Sequence, residues 1–131
     1  MSIHISIIAP DRTVWDANAE EVILPSSTGQ LGILKGHAPL LTALDIGVMR
    51  VRVDRDWTPI VLLGGFAEIE NDELTILVNG AEEASQIDRD QAQRDLEEMT
   101  VKFNEATTNK ERIEATQNLR KARARLQAVS A

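Results

Sequence analysis

The sequence predicts a chain of two parts, a sandwich or barrel of short β-strands followed by an antiparallel hairpin of two α-helices. Three observations predict it. Apolar and polar residues alternate through roughly the first 80 residues, and Gly and Pro interrupt these stretches at short intervals. After Asn79-Gly80 neither Gly nor Pro recurs, and apolar residues follow each other at spacings of three and four. We therefore expect a sheet domain at residues 1–84 and a helical hairpin at residues 85–131.

The strands are predicted from the alternation and from the turn residues between them. Ile3, Ile5 and Ile7 alternate with polar residues, as on a strand with one buried face. Further strands are expected at residues 21–24, 30–34, 48–53, 57–63, 66–70 and 74–78, and turns at residues 26–29, 54–56 and 71–73. Gly64-Gly65 lies between two apolar strands, where a bulge or a close approach of two backbones is expected.

Two capping patterns predict where the helices begin. Asp88 with Gln91, and Thr108 with Glu111, have the spacing of a capping box. The first apolar stripe comprises Ala92, Leu96, Met99, Phe103 and Ala106, and the second comprises Ala115, Leu119, Ala122, Leu126 and Val129. Because residues 107–109 are too few for any other connection, the helices are expected to pack antiparallel.

The hairpin is predicted to be only marginally stable by itself. Both stripes are thin and partly alanine, so the helices bury little apolar area between them. At about 25 cal/mol per Å² this gain barely offsets the entropy of ordering the chain. An element so weakly held can adopt two arrangements a few kcal/mol apart, which suggests a conformational switch.

The charge distribution argues against nucleic acid as a partner. The net charge is −7, with 13 acidic and 5 basic side chains at residues 1–87 but 2 acidic and 6 basic at residues 109–131. A basic set on the last helix has two possible interpretations, a solvated helix face or a docking surface for an acidic protein segment. It comprises Arg112, Arg120, Lys121, Arg123 and Arg125.

The motifs of catalysis and metal binding are missing from the sequence. It contains no cysteine, no phosphate-binding Gly-rich loop of the Walker type and no Gly-x-Ser-x-Gly elbow. His37 has no Ser, Cys or carboxylate neighbour with which to form a dyad. No apolar run approaches the roughly 20 residues that cross a bilayer, so membrane insertion is not expected. A stand-alone ligand-binding sandwich is the alternative function, although aromatic residues are only 3% of the chain.

A resemblance to a known family follows from one long motif. Residues 25–44, PSSTGQLGILKGHAPLLTAL, resemble the signature of the epsilon subunits of F-type ATP synthases. Residues 64–68 and 77–82 are also similar to this family, and residues 14–16, 45–47 and 120–126 resemble its cyanobacterial and chloroplast branch. The resemblance covers the whole chain.

The resemblance implies a β-sandwich and a non-catalytic role in the rotor of the enzyme. The sandwich would bind the gamma subunit and stand on the ring of c subunits, and the hairpin would restrain ATP hydrolysis by the α/β catalytic head. The chain would lie on the cytoplasmic or stromal face of an energy-transducing membrane, here the thylakoid.

Site residues are implied by position in the family. The gamma subunit would contact His37, Ala38, Pro39 and Thr42, and the c-ring would contact Thr28, Gly29, Gln30 and Leu31. The basic set would meet an acidic segment of a β subunit.

Some bacterial relatives bind ATP at the folded hairpin, and this chain keeps part of the motif. The matching residues are Glu82, Ile87, Asp88, Ala92 and Arg125. Gln91 and Lys121 stand where the motif has arginines, which removes two planar phosphate partners. We therefore expect no cofactor and no ATP bound by this chain.

Overall fold

The computed structural model describes residues 2–130. The strands are β1 Ile3–Ala9, β2 Arg12–Ala19, β3 Glu21–Ser26, β4 Gly29–Leu34, β5 Leu40–Val53, β6 Asp56–Glu70, β7 Glu73–Val78 and β8 Ala81–Glu83. The helices are α1 Arg89–Glu105 and α2 Asn109–Ser130, and a single 3₁₀ turn, Ala84–Gln86, follows β8. The predicted order of strands first and a two-helix hairpin second is confirmed.

The strands form one sheet that folds over on itself into a sandwich. Its order is β2-β1-β7-β6-β5-β3-β4, with β8 paired to β6 at one end. All pairs are antiparallel except β1 with β7. One half of the β5–β6 ribbon lies beside β7 and the other half lies beside β3 and β8, so this ribbon belongs to both layers.

Gly64 and Gly65 allow β6 to change layers. Their φ angles are +83° and +149°, and a Cβ added to Gly65 would lie 2.0 Å from the carbonyl oxygen of Leu77. The expected close backbone approach is therefore confirmed. The two strands predicted at residues 57–63 and 66–70 are one bent strand.

The bend exchanges the two faces of β6. Ile60 and Leu62 point into the core between the layers before it, and Ala67 and Ile69 do so after it. Strand β5 changes faces in the same way between Leu44 and Met49, which both point into the core. The even-numbered side chains of β6 are thus buried on one side of the bend and exposed on the other.

The core between the layers contains the side chains predicted from alternation. Ile3, Ile5 and Ile7 are fully buried there, and Met49 and Val51 join them.

Strands β2 and β8 were not predicted from the sequence. Strand β3 also continues through Pro25, which Gly47 makes possible, since a Cβ on Gly47 would lie 2.7 Å from the Pro25 ring.

The caps of the two helices differ in part from the predicted boxes. The Asp88 carboxylate accepts a hydrogen bond from the Gln91 backbone N–H at 2.9 Å, but the Gln91 side chain donates to Asp95 instead of returning to the cap. At α2 the Thr108 hydroxyl accepts from the Glu111 N–H at 3.1 Å, and Glu111 accepts from the Thr107 N–H. Backbone hydrogen bonds from Thr107, and next from Thr108, lower the pKa of Glu111.

The predicted stripe of α2 packs against α1. Ala115, Leu119 and Ala122 are buried, whereas Phe103 of α1 is 42% exposed near the tip of the hairpin. The second stripe is thus confirmed at these three positions, and the first stripe is wrong at Phe103. Helix α1 packs mainly on α2 and not on the sheet.

Helix α2 has a second buried face, which the apolar spacing of its sequence did not predict. Ala124 and Ala128 pack on Val48 of β5 and Val61 of β6, and we call these four residues the helix-covered cluster. Partly buried neighbours surround it on the sheet and on the segment that leads to α1. The hairpin is therefore docked on the sandwich through α2.

Candidate docking surfaces

An apolar patch remains exposed on the outer face of the layer that contains β1, β7 and β6. Paired residues of neighbouring strands share a face, and Ile8 pairs with Leu77, which pairs with Phe66. Leu41 of β5 lies on the same face. We call Ile8, Leu41, Phe66 and Leu77 the outer apolar patch, and they are 37, 67, 57 and 52% exposed.

The outer apolar patch is grooved, as many protein-binding surfaces are. Two shallow grooves follow Phe66 and Leu77, one along Ile8 and the other along Leu41. Large apolar side chains exposed side by side are uncommon on proteins that act alone, and they mark interaction sites. The patch is therefore suited to bind another protein.

The other end of the same face is polar. The His4 ring lies between two carboxylates, with Nδ1 2.7 Å from Glu73 Oε2 and Nε2 2.6 Å from Asp16 Oδ1. Both interactions raise the pKa of His4, that with Glu73 more strongly. One face thus has an apolar half and a charged half, which gives a bound partner a defined orientation.

The segment with the four residues expected to contact gamma leads into this patch. Gly36 donates to Asp72 Oδ1 at 2.7 Å, which ties the segment to the turn between β6 and β7. Ala38 and Pro39 are exposed, and His37 and Thr42 are half-buried. Leu41 lies within this segment, so these positions border the outer apolar patch.

The residues expected to contact the c-ring form the turn between β3 and β4. Thr28, Gly29 and Gln30 are exposed, and Leu31 is half-buried. The buried Ser26 hydroxyl accepts from the Thr28 N–H and donates to the Gly29 carbonyl, so the turn is held from inside. Ser27 N–H donates to the Ala43 carbonyl at 3.1 Å, which joins this turn to the strand that contains Leu41.

The basic set does not form one surface in this conformation. Arg112, Arg120 and Arg123 are exposed, whereas Arg125 is half-buried. Since each helical residue turns by about 100°, Arg123 and Arg125 point to nearly opposite sides. In the docked hairpin Arg125 therefore lies apart from Arg112, Arg120 and Arg123.

Arg125 binds a carboxylate of the sandwich. Its Nε lies 2.8 Å from Glu82 Oε1, and its Nη2 lies 2.7 Å from Glu82 Oε2. This pairing raises the pKa of Arg125. Among the residues expected from the nucleotide motif, Glu82 and Arg125 thus contact each other, and Asp88 caps α1. Ile87 packs at the margin of the helix-covered cluster, and Ala92 is buried.

Several residues of these surfaces were not predicted. The outer apolar patch has a faint signal, because Phe66 and Leu77 are large apolar residues that alternate with core residues on their strands. Residues 60–63 are apolar at every position, which is typical of a strand buried on both faces. No local pattern in the sequence predicts the contact between Glu82 and Arg125.

Residues 2–130 contain neither a membrane-spanning helix nor a group of metal ligands. The helices in that part of the chain lack the length or the hydropathy that a membrane span requires. Nor do the described side chains bring together three His, Asp or Glu in an arrangement that could hold a metal ion.

Comparison with known families matches both parts of the chain. The family description "ATP synthase, Delta/Epsilon chain, beta-sandwich domain" matches residues 2–84, and "ATP synthase, Delta/Epsilon chain, long alpha-helix domain" matches residues 85–130.

Relatives of high identity extend over the full length. The chain is 74% identical over 131 residues to the "ATP synthase epsilon chain, chloroplastic" of Porphyra purpurea, covering 100% of this chain and 98% of that one. It is 59% identical to the "ATP synthase epsilon chain" of Microcystis aeruginosa, covering 98% and 95%.

A solved structure shares the fold. It is the cryo-EM structure of the Euglena gracilis mitochondrial ATP synthase, OSCP/F1/c-ring in rotational state 1. The TM-score is 0.86 at 21% identity, and the match covers 99% of this chain and 82% of that one. The family matches and the identity to these relatives lead to one conclusion: the chain belongs to the delta/epsilon chain family of ATP synthase.

Proposed function

We propose that this chain is a non-catalytic subunit of the rotor of a proton-translocating F-type ATP synthase, in which it couples proton flow to ATP synthesis. The observation that carries the proposal is the outer apolar patch, which is left uncovered on the sandwich of a member of this family. A rotor subunit needs one permanent protein contact, and an exposed apolar surface supplies it. Full-length identity to chains named epsilon disfavours the alternative of a stand-alone ligand-binding sandwich.

The gamma subunit is the partner proposed for the outer apolar patch. Phe66 and Leu77 lie at its centre between two grooves and have the size and exposure of interface anchors. The segment with His37, Ala38, Pro39 and Thr42 would lie at the margin of the contact. The charged end with His4 would stay outside it or face polar groups of gamma.

The c-ring is the partner proposed for the turn between β3 and β4. Thr28, Gly29, Gln30 and Leu31 offer a backbone turn and a small apolar surface, and internal hydrogen bonds keep the turn in shape. A turn so held loses little conformational entropy when it binds. The hydrogen bond from Ser27 to Ala43 supports proposed c-ring and gamma contacts on neighbouring parts of the sandwich.

The hairpin is proposed to restrain ATP hydrolysis by the α/β head. Arg112, Arg120 and Arg123 are exposed on the docked hairpin, and Lys121 and Arg125 would join them only after α2 leaves the sandwich. An acidic segment of a β subunit would then meet all five basic residues. Restraint would therefore depend on the fraction of hairpins that are released.

We propose that this subunit neither catalyses a reaction nor binds ATP. The Nε and Nη2 atoms of Arg125 both donate to the Glu82 carboxylate, and Gln91 interacts with Asp95 and Arg94. A phosphate would have to displace a bidentate partner without the two missing arginines. The relatives named chloroplastic support a location on the stromal face of the thylakoid membrane.

Binding to gamma tests the proposed function. The double variant Phe66→Ser, Leu77→Ser should lose about 100-fold or more in affinity for a gamma subunit, since each large central anchor contributes on the order of 2 kcal/mol. Both side chains are more than half exposed, so the sandwich should remain folded. Titration calorimetry measures the affinity, and a thermal melt verifies the fold.

The matched control is Ile113→Ser on α2. Ile113 is 64% exposed and also apolar, but it lies on the hairpin and not on the proposed interface. This variant should bind gamma as tightly as the wild type does. Wild-type affinity of the double variant would refute the proposed contact, and so would equal losses in all variants.

A further inference from the structure

The apolar contact that docks α2 on the sandwich is narrow. Among residues 2–130, the buried members that α2 contributes to the helix-covered cluster are Ala124 and Ala128, which pack on Val48 and Val61. A buried alanine removes one methyl group from water, far less than a leucine does. Apolar burial alone therefore holds α2 on the sheet only weakly.

A polar contact at the edge of the same surface is well formed. Both oxygens of the Glu82 carboxylate accept hydrogen bonds from the Arg125 guanidinium, at 2.8 and 2.7 Å. The two side chains are about 30% exposed, so water screens the pair less than it screens a surface pair. Parallel hydrogen bonds between two planar groups fix orientation as well as distance.

The pair connects the two parts of the chain. Glu82 lies on β8, which pairs with β6, while Arg125 lies one residue after Ala124 on α2. Within residues 2–130, it is the one salt bridge between the hairpin and the sandwich, since the other salt bridge of the hairpin joins Lys102 and Glu98 within α1. The pair therefore sets the rotation of α2 that turns its alanines toward the sheet.

We propose that Arg125 and Glu82 form a latch, and that breaking it releases the hairpin as a unit while the sandwich stays folded. The latch is a property of the isolated chain and does not depend on the proposed rotor function. Because Arg125 already has a partner within the chain, a partner that binds Arg125 competes with Glu82.

The separation of the apolar clusters explains why release would be local. The core between the layers contains residues of the sheet only, and α2 contributes to the separate helix-covered cluster. Leu119 and Ala122 are buried on α2, which packs on α1, and neither belongs to that cluster. Undocking thus leaves the packing of each part intact.

Cysteine labelling tests the latch, because the natural chain has no cysteine. Val61→Cys places a thiol beneath α2, and Val22→Cys places one in the core between the layers. Both valines are fully buried, so each thiol reacts with a small disulfide reagent only when its own surface opens. The Val61 reporter measures undocking, and the Val22 reporter measures unfolding of the sandwich.

Loss of the latch should act on one reporter only. In the Val61→Cys background, Arg125→Met keeps the apolar stem and removes the hydrogen bonds, and Glu82→Gln removes the charge. Each should raise the labelling rate about ten-fold, and the rate of the Val22 reporter should not change. Arg123→Met, an exposed neighbour, is the control and should change neither rate.

A charge exchange separates a pair interaction from general packing. The double variant Glu82→Arg, Arg125→Glu should restore slow labelling of the Val61 reporter, because it rebuilds the pair in reverse. Unchanged Val61 labelling in the single variants would overturn the latch. Faster labelling of both reporters would also overturn it, because the pair would then stabilise the sandwich itself. If the charge exchange failed to restore slow labelling, the effect would be due to packing, and the latch would again be overturned.

Discussion

At the scale of single residues, His4 joins three strands through its side chain. It lies on β1 and interacts with Glu73 on β7 and with Asp16 on β2, although all three side chains are at least one-third exposed. Only the protonated ring can donate to both carboxylates at once. The charged form is therefore favoured in the folded chain, which is why its pKa is raised.

The pH dependence of stability follows from this shift. The folded-state pKa of His4 lies above the ordinary value of 6.5, so its stabilisation is fully present below that value and is lost as the pH rises through the folded-state pKa. Urea unfolding of the wild type and of His4→Gln should differ most near about pH 6 and converge near about pH 9. An equal difference at both pH values would contradict this role.

At the scale of elements, the bend in β6 determines which of its side chains are exposed. The close approach of Gly65 to the Leu77 carbonyl brings β6 onto β7 without space for a side chain. Beyond the bend, Phe66 points outward into the outer apolar patch instead of inward. The same two glycines therefore create the sandwich and expose the patch.

Gly65→Ala should destabilise the fold strongly. The new Cβ would lie 2.0 Å from a backbone oxygen, at a φ of +149° that side chains rarely adopt. We expect a loss of about 3 kcal/mol or more in the free energy of unfolding, measured by urea denaturation. Gly32→Ala on β4 is the control, since no atom lies within 4 Å of its added Cβ. Similar losses in both variants would show that Gly65 has no special role.

Local patterns predicted most elements and missed those that depend on distant neighbours. Alternation identified Ile3, Ile5 and Ile7 because one face of β1 is buried and the other is not. It misjudged β6, because residues 60–62 are buried on both faces, Leu63 is half-buried, and the parity then reverses at Gly64. Alternation between apolar and polar residues, followed over only a few positions, does not reveal such a reversal.

The docked face of α2 was missed for a related reason. Ala124 and Ala128 are four apart and outside the predicted stripe, but a single pair of alanines is also common on exposed helices. The partner of Arg125 is 43 residues away in sequence, and no spacing rule connects the two. The hairpin was thus predictable, whereas its contact with the sandwich was not.

At the scale of the whole molecule, the chain has two apolar clusters that share no residue. The larger one lies within the sheet, and the smaller one lies between the sheet and α2. Two parts joined in this way are expected to unfold or separate independently to some degree.

Removal of the hairpin should therefore leave a folded sandwich. A chain truncated after Gln86 should keep a cooperative thermal transition, because the core between the layers loses no side chain. It should also self-associate more readily, since Val48 and Val61 become exposed. If the proposed function holds, ATP hydrolysis by the complex should rise with this subunit in place of the full chain.

Two measurements check the truncation separately. Circular dichroism and light scattering report folding and association of the chain alone, and a reconstituted hydrolysis assay reports regulation. A truncated chain without a thermal transition would contradict the independence of the sandwich. Hydrolysis equal to that of the full-length complex would instead count against an inhibitory hairpin.

The β5–β6 ribbon has a mechanical consequence. Its two strands continue from the surface beneath α2 to the surface that contains Phe66, and their hydrogen-bonded pairing extends along both halves. A twisting load applied at one surface thus travels along covalent chain to the other and does not have to cross a packed layer of side chains. The sandwich should accordingly be stiff, and bending of the chain should be concentrated between β8 and α1.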